Sequence, residues 1–347
     1  MSNRKALRFT RVIVPVVALG LIAAACSSKK DNTTTKSGSG GTTPSAAAAP
    51  FKIAIVAPSA TNDLAFTQSM VDAVNSLKSK YNLDIAVSDN LFVVDDAANA
   101  IRNYASQGYD LVIAHGSQYG SSVQQIAPQF PKVAFAWGTA GDTFGLDNVF
   151  AYQAASDQGG YVNGVMAAML TKSNVIGVVG PIEVGDAKLY IDGFKAGAQA
   201  TNSSAQVKVN YIQSFSDVAK ASEAANSFVQ AKADVMTGTA QMVVGAVGVC
   251  KTNNIAWFGT QSNQTALAPT VVVASQVYHW EVALSQMIEA IQGGTLGGKS
   301  YTIDIANGGE VIEYNPGYSL PSDVKTKGDD TIAGIKDGSI TTGVSGS

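Results

Sequence analysis

The strict alternation of short, β-branched apolar runs with amphipathic stretches is what most limits how this chain can fold. Residues 52–57 (KIAIVA) are an apolar run closed by Pro58, and residues 66–77 then place Phe66, Met70, Val74 and Leu77 at helical spacing. The scheme continues with strands at 84–87, 111–114, 132–136 and from 148, and helices at 96–107, 118–127 and 161–170. A second set follows: strands at 175–179, 206–211, 235–238, 255–258, 271–275 and 301–305, and helices at 190–200, 218–230, 243–251 and 279–292. Short apolar strands separated by helices predict parallel sheets covered on both faces. Roughly ten strands in two successive sets predict an α/β protein with two doubly wound lobes. Ligands of such sheets lie outside the strand carboxyl ends, so two facing lobes make a cleft.

Composition narrows the function. With 347 residues, 46% hydrophobic and only 14% charged, the chain has ample apolar surface to bury and is no disordered protein. Two Cys and two His exclude a disulfide scaffold and a Cys-based zinc site. A formal charge of −3 argues against phosphate-mediated nucleic-acid binding.

That charge averages two unlike parts. Arg4, Lys5, Arg8 and Arg11 form a basic head before the 14 apolar residues 12–25, a run interrupted by Pro15 and Gly20 and too short to span a bilayer. Head, short apolar stretch and small residues read as a secretory signal over 1–25. The segment Leu21-Ile22-Ala23-Ala24-Ala25-Cys26 resembles a bacterial lipobox, which implies that Cys26 is lipidated and becomes the first mature residue. Cleavage takes away four positive charges and no negative ones, moving the formal charge from −3 to −7. Residues 27–50 have, apart from Pro44 and Pro50, no apolar side chain larger than Ala, so 26–50 is read as the anchor and a flexible linker with a reach of about 25–30 Å. Cys250 closes an apolar stretch and reads as a small buried hydrophobe.

Two apparent motifs dissolve on inspection. Residues 293–300 (GGTLGGKS) match the phosphate-loop pattern, but they follow a helix and precede a strand. A phosphate loop needs the reverse order, so that a helix N-terminus faces the phosphate; Gly293 and Gly294 read as a helix C-cap instead. Residues 116–120 (GSQYG) put the serine one place early for a nucleophile elbow. His115 and His279 lie in no metal-ligand spacing, and the adjacent pairs Asp95-Asp96 and Asp329-Asp330 read as helix-start or surface charges. No catalytic set, metal or cofactor emerges.

Polar and aromatic residues instead gather just after strands. They lie at 59–69, with Asn62, Asp63 and Gln68, at 115–119, with His115 and Tyr119, at 214–217, with Asp217, at Gly238, and at 259–263. Any one of these loops is polar simply because loops are. Their recurrence after strands in both halves marks a candidate ligand site.

Several ordered stretches resemble the basic membrane protein family of lipoprotein substrate-binding proteins, which includes purine nucleoside receptors of ABC importers. They are Tyr161-Val162-Asn163-Gly164, residues 167–172 (AAMLTK), residues 176–180 (IGVVG), Asp192-Gly193-Phe194-Lys195-Ala196-Gly197 and Ser214-Phe215-Ser216-Asp217. The likeness runs over about residues 51–321. It implies a type I periplasmic-binding-protein fold with a three-strand hinge and a purine held between the lobes. By position, Phe66 and Phe215 correspond to the stacking aromatics of the first and second lobes. The family's Gly-Val-Asp-x-Asp-Gln loop is here Gly259-Thr260-Gln261-Ser262-Asn263-Gln264, with amides at Gln261 and Asn263 in place of carboxylates. The family's lysine after the next strand falls at Tyr278, near Trp280, which makes that wall more aromatic and less positive.

The resulting expectation is a lipid-anchored, extracytoplasmic solute-binding protein that hands a small, purine-like ligand to ABC permease subunits, without catalysis and without nucleic acid. Lobe 1 is drawn as 51–150 plus 260–292 and lobe 2 as 151–259 plus 293–347, with hinge strands at 150–152 and 258–260. A sensory receptor on the same fold and a secreted nucleoside hydrolase are the rival readings; the amides at 261 and 263 count against the hydrolase.

Overall fold

The computed structural model describes residues 49–344; the signal segment, Cys26 and nearly all of the linker lie outside the described residues. Each lobe is built on a six-stranded sheet. The first contains β1 (Phe51–Val56), β2 (Leu83–Ser88), β3 (Leu111–His115), β4 (Ala134–Gly138), β5 (Val149–Ala154) and β11 (Lys299–Ile303). Its order is β2-β1-β3-β4-β5-β11 and every pairing is parallel. The second contains β6 (Val175–Gly180), β7 (Gln206–Tyr211), β8 (Val235–Gly238), β9 (Ala256–Gly259), β10 (Val272–Tyr278) and β12 (Glu310–Tyr314). The order β7-β6-β8-β9-β10-β12 repeats that of the first sheet, except that β12 runs antiparallel to β10.

Helices α1 (Phe66–Tyr81), α2 (Val94–Ser106), α3 (Gly120–Ile126) and α8 (Glu281–Gln292) cover the first sheet. Helices α4 (Ser156–Leu170), α5 (Gly185–Thr201), α6 (Val218–Gln230), α7 (Val243–Asn253) and α9 (Ser322–Asp337) serve the second. Central strands such as β3 are buried along their whole length, as parallel strands covered on both faces must be. Met70, Val74 and Leu77 of α1 enter the core with Ile53, Ile55 and Met287, whereas Phe66, at the head of the helix, stays at its edge.

The chain passes between the lobes three times: from β5 to α4, from β10 to α8, and from β11 to β12. These crossings correct the sequence-based boundaries. Residues 258–260 lie at the end of β9 inside the second lobe, not in the hinge; the second crossing is at 279–280. Strand β10 belongs to the second sheet and β11 to the first, the reverse of the expected assignment. The expectation failed because each sheet takes its sixth strand from beyond a crossing, and local periodicity carries no record of the partner sheet. Strand β12 and helix α9 were not foreseen. Helix α9 carries few apolar residues, and of these Val324 and Ile335 are what it buries.

The third crossing is tied back at Glu310, whose buried carboxylate accepts the Gly159 N–H at 3.0 Å and a bond from the Gln276 amide. Burial pushes that carboxyl well above its ordinary range. Residues 293–300 follow α8 and lead into β11, so they do not form a phosphate loop. Cys250 is buried on α7, and burial pushes its thiol up to about 12. Among the described residues no helix is long and apolar enough to cross a membrane.

Helices α4 and α5 meet through glycine. Gly160 and Gly164 face the backbone carbonyls of Tyr190 and Phe194, while Gly193 and Gly197 face those of Asp157 and Tyr161. A Cβ at any of the four would strike main chain, which cannot swing aside as a side chain can. Gly164→Ala or Gly197→Ala is therefore expected to cost about 1–3 kcal/mol or more in urea unfolding. Gly248, on α7 with open space where its Cβ would be, gives the contrast: Gly248→Ala is expected to stabilise by about 0.4–1 kcal/mol.

Candidate ligand-binding site

The two sheets point their strand carboxyl ends at a common cavity. From the first lobe come Pro58 after β1, Phe92 after β2, Gly116, Ser117 and Gln118 after β3, and Thr139 after β4, together with Phe66. From the second come Val184 to Ala187 after β6, Phe215 after β7, Ala240 and Gln241 after β8, and Gln261 after β9. The cavity is about 40 Å³, room for a few waters at most, so a fused-ring ligand enters only if the walls part.

Phe66 is held by a stack. Its ring lies 3.8 Å from the His115 ring at an interplanar angle of 11°, and His115 lies 6.1 Å from Tyr152 at 9°. Trp280 meets His115 and Tyr152 edge-on, at 6.0 and 5.2 Å. The partners of His115 define its tautomer. The Phe66 carbonyl can only accept, so Nε2–H donates to it at 2.9 Å, and Nδ1 accepts from the Tyr152 hydroxyl at 2.8 Å. Burial drives the imidazole down to about 3, against the lesser opposing effect of the Phe66 carbonyl. His115 is thus a neutral bracket behind Phe66.

Asp186 lies in the first turn of α5 and faces Thr139 across the cleft. Thr139 Oγ1 donates to Oδ1 at 3.0 Å, and the Tyr278 hydroxyl donates to Oδ2 at 3.3 Å. The Gln261 side chain also bonds this carboxylate. The residue is partly open to the cavity, yet atoms crowd the carboxyl, and this desolvation raises its pKa despite those three donors and its own backbone N–H. Gly185 precedes it at φ +53°, a left-handed conformation that glycine adopts without penalty.

The cavity thus brings together three of the sequence-derived candidates: Phe66, Phe215 and Gln261. Tyr278 stands just behind it, joined to Asp186 and, at 2.7 Å, to Ser156 Oγ. The remaining candidates are occupied with structure. Asp63 accepts the N–H groups of Ala65, Thr67 and Gln68 and so caps the start of α1. Gln68 accepts from the Leu64 N–H, and Asn62 is exposed beside them. Tyr119 is buried in the first-lobe core, its hydroxyl donating to the Leu91 carbonyl at 2.7 Å. Asp217 caps α6 through the Lys220 N–H. Gly238 ends β8 where a side chain would press on the Val179 carbonyl. Asn263 binds Glu313 on an exposed face. Trp280 donates to Ser69 Oγ at 3.0 Å from within the core. His115 and Trp280 serve the cavity only through the ring they support.

Asp186, Thr139 and Phe92 were not foreseen. Reading the α5 helix as 190–200 left Asp186 in an unremarked loop. The available signal was an acidic residue just after a glycine at a helix start, following a buried strand.

Two facing doubly wound lobes with three crossings and a cavity between strand ends define a solute-binding protein that closes on a small molecule. The chain belongs to the family of PnrA-like ABC transporter substrate-binding proteins, whose model matches residues 51–331. It is 27% identical to a purine-binding protein of Brucella abortus (strain 2308) over 293 residues, 83% of this chain and 82% of that one. It is 24% identical to a transcriptional activator protein of Bacillus subtilis (strain 168) over 258 residues, 74% of this chain and 80% of that one. A solute-binding protein of an ABC transporter system from Conexibacter woesei superposes with a TM-score of 0.70 at 24% identity, over 84% of this chain and 97% of that one. The family and two of these three likenesses are to substrate- or solute-binding proteins, none is to an enzyme, and the type I periplasmic-binding-protein fold is shared.

His115 also predicts a pH effect. The unfolded imidazole takes a proton near 6.5 and the folded one only near 3, so the unfolded state binds more protons between them. Stability therefore falls as pH drops from 6.5 towards 4, by up to about 1.4 kcal/mol per unit from this one group. Urea unfolding at several pH values should show a shallower decline for His115→Gln than for the wild type.

Proposed function

We propose that this chain is the lipid-anchored, extracytoplasmic subunit of an ABC importer that clamps a purine nucleoside or nucleobase-like molecule between its lobes. The observation that carries this reading is that Phe66 and Phe215, one from each lobe, line the same cavity among hydroxyls and amides. Two faces brought together by hinge closure grip a flat ring through dispersion and offset stacking, and the polar rim sets its orientation. The rigid stack behind Phe66 keeps one face in place while the other lobe moves. The name of the Brucella relative supports a purine, and Cys26 supplies the anchor through which the domain stays beside its permease.

Mass spectrometry of ligand released from gently purified protein, with a thermal-shift panel of nucleosides and nucleobases, tests the ligand class. A purine at 100 times its Kd is expected to add about 2.7 kcal/mol of stability. Phe66→Ala and Phe215→Ala are each expected to weaken that ligand about 5- to 100-fold. A stabilising metabolite without a flat ring, in a panel where no purine acts, would refute the clamp. Cys26→Ser is expected to abolish palmitate labelling and release the protein from membranes; retained labelling would refute the anchor.

A further inference from the structure

Among the described residues Asp186 is the one charged residue lining the cavity, and no Lys, Arg or His lines it beside Asp186. Its carboxylate accepts from Thr139 at 3.0 Å and from Tyr278 at a longer 3.3 Å, with Gln261 and its own backbone N–H also turned toward it, and the residue stays partly open to the cavity. Next to it, the Oε1 of Gln261 is buried without a hydrogen-bond partner among the described residues, in a residue only 3% exposed that lines the same cavity. Leaving a buried acceptor unpaired is costly, so such an atom is usually matched by a donor. The polar corner therefore offers acceptors, one of them charged, while aromatic faces form the rest of the wall. An anionic group placed here would meet a carboxylate with no cation to offset it.

We propose that Asp186 and Gln261 Oε1 together form the specificity-determining grip of the cleft, selecting a neutral or cationic ring ligand that presents two adjacent hydrogen-bond donors. This rests on the ring-clamp reading above and adds what the clamp alone lacks, a reason to prefer one flat molecule over another. Two parts of a nucleoside carry that chemistry: the N–H and amino edge of an aminopurine, and the vicinal hydroxyls of ribose. A carboxylate accepts either pair, with charge-assisted bonds about twice as strong as neutral ones. Both grip residues belong to the second lobe, and Thr139 reaches across from the first to donate to Asp186, so approach of the lobes completes the polar corner.

Calorimetric titration of the full folded domain with guanosine, inosine and 2′,3′-dideoxyguanosine separates the possibilities. Asp186→Asn keeps the shape but turns an acceptor into a donor, and is expected to weaken guanosine at least tenfold. That loss should shrink for inosine, which keeps N1–H but lacks the 2-amino group, if the base edge meets Asp186, and vanish for the dideoxynucleoside if the sugar does. Asp186→Glu, which keeps the charge but displaces it, should show the same ligand dependence with a smaller loss, and serves if the amide variant does not fold. Affinities within twofold of wild type for every ligand, or an equal loss for all three, would overturn the grip and leave the ring clamp standing. Absence of binding by the wild type to all three would overturn the clamp and the grip together.

Discussion

The close contact between α4 and α5 is the constraint on which the cleft depends. Four glycines let each helix lay its side against the other's carbonyls, so the two behave as one rigid block. That block begins at Ser156, immediately after the first crossing, and at Gly185, beside Asp186 in the cleft wall. The Tyr278 hydroxyl then ties the two starting points together, at 2.7 Å to Ser156 and 3.3 Å to Asp186, from the end of the strand that leads into the second crossing. A small relaxation of the helix pair would move hinge and carboxylate at once. Helix packing, hinge and ligand wall are here a single mechanical unit.

The first lobe is organised around a different interaction, a buried aromatic column. Phe66, His115, Tyr152 and Trp280 stack or abut in sequence, and the neutral imidazole supplies one donor and one acceptor to lock the column in register. The column makes one face of the cleft stiff. The other face, Phe215, sits in a loop whose polar groups cap the start of α6. Both rings are thus braced before closure, one by a stack and the other by a capped loop, which lowers the ordering cost of closing on a ligand.

The candidate residues show how far local patterns reach. Phe66 and Phe215 were legible because each follows a strand and matches a family position, and both line the cavity. Asp63 and Asp217 satisfied the same criterion and proved to be helix caps, because an acidic residue before a helix finds backbone N–H donors close at hand. Position after a strand does not tell a cap from a ligand contact. Tyr119 and Trp280 are polar-tipped aromatics whose single donor found a partner inside the core. Asp186 escaped notice because its importance comes from Thr139, Tyr278 and Gln261, which lie 47, 92 and 75 positions away.

The order of strands and helices as far as β11, the doubly wound class and the parallel pairing of those strands followed from the sequence, because alternation of apolar runs is written locally and each element buries its own face; β12 and α9 did not. So did the absence of a phosphate loop at 293–300, which the order of neighbouring elements decides. Tertiary structure alone decided where the chain crosses between lobes, which sheet receives β10 and which β11, and which polar residues meet in the cleft. Those outcomes depend on pairings between segments far apart in the chain, and a strand's own composition is nearly the same whichever sheet completes it.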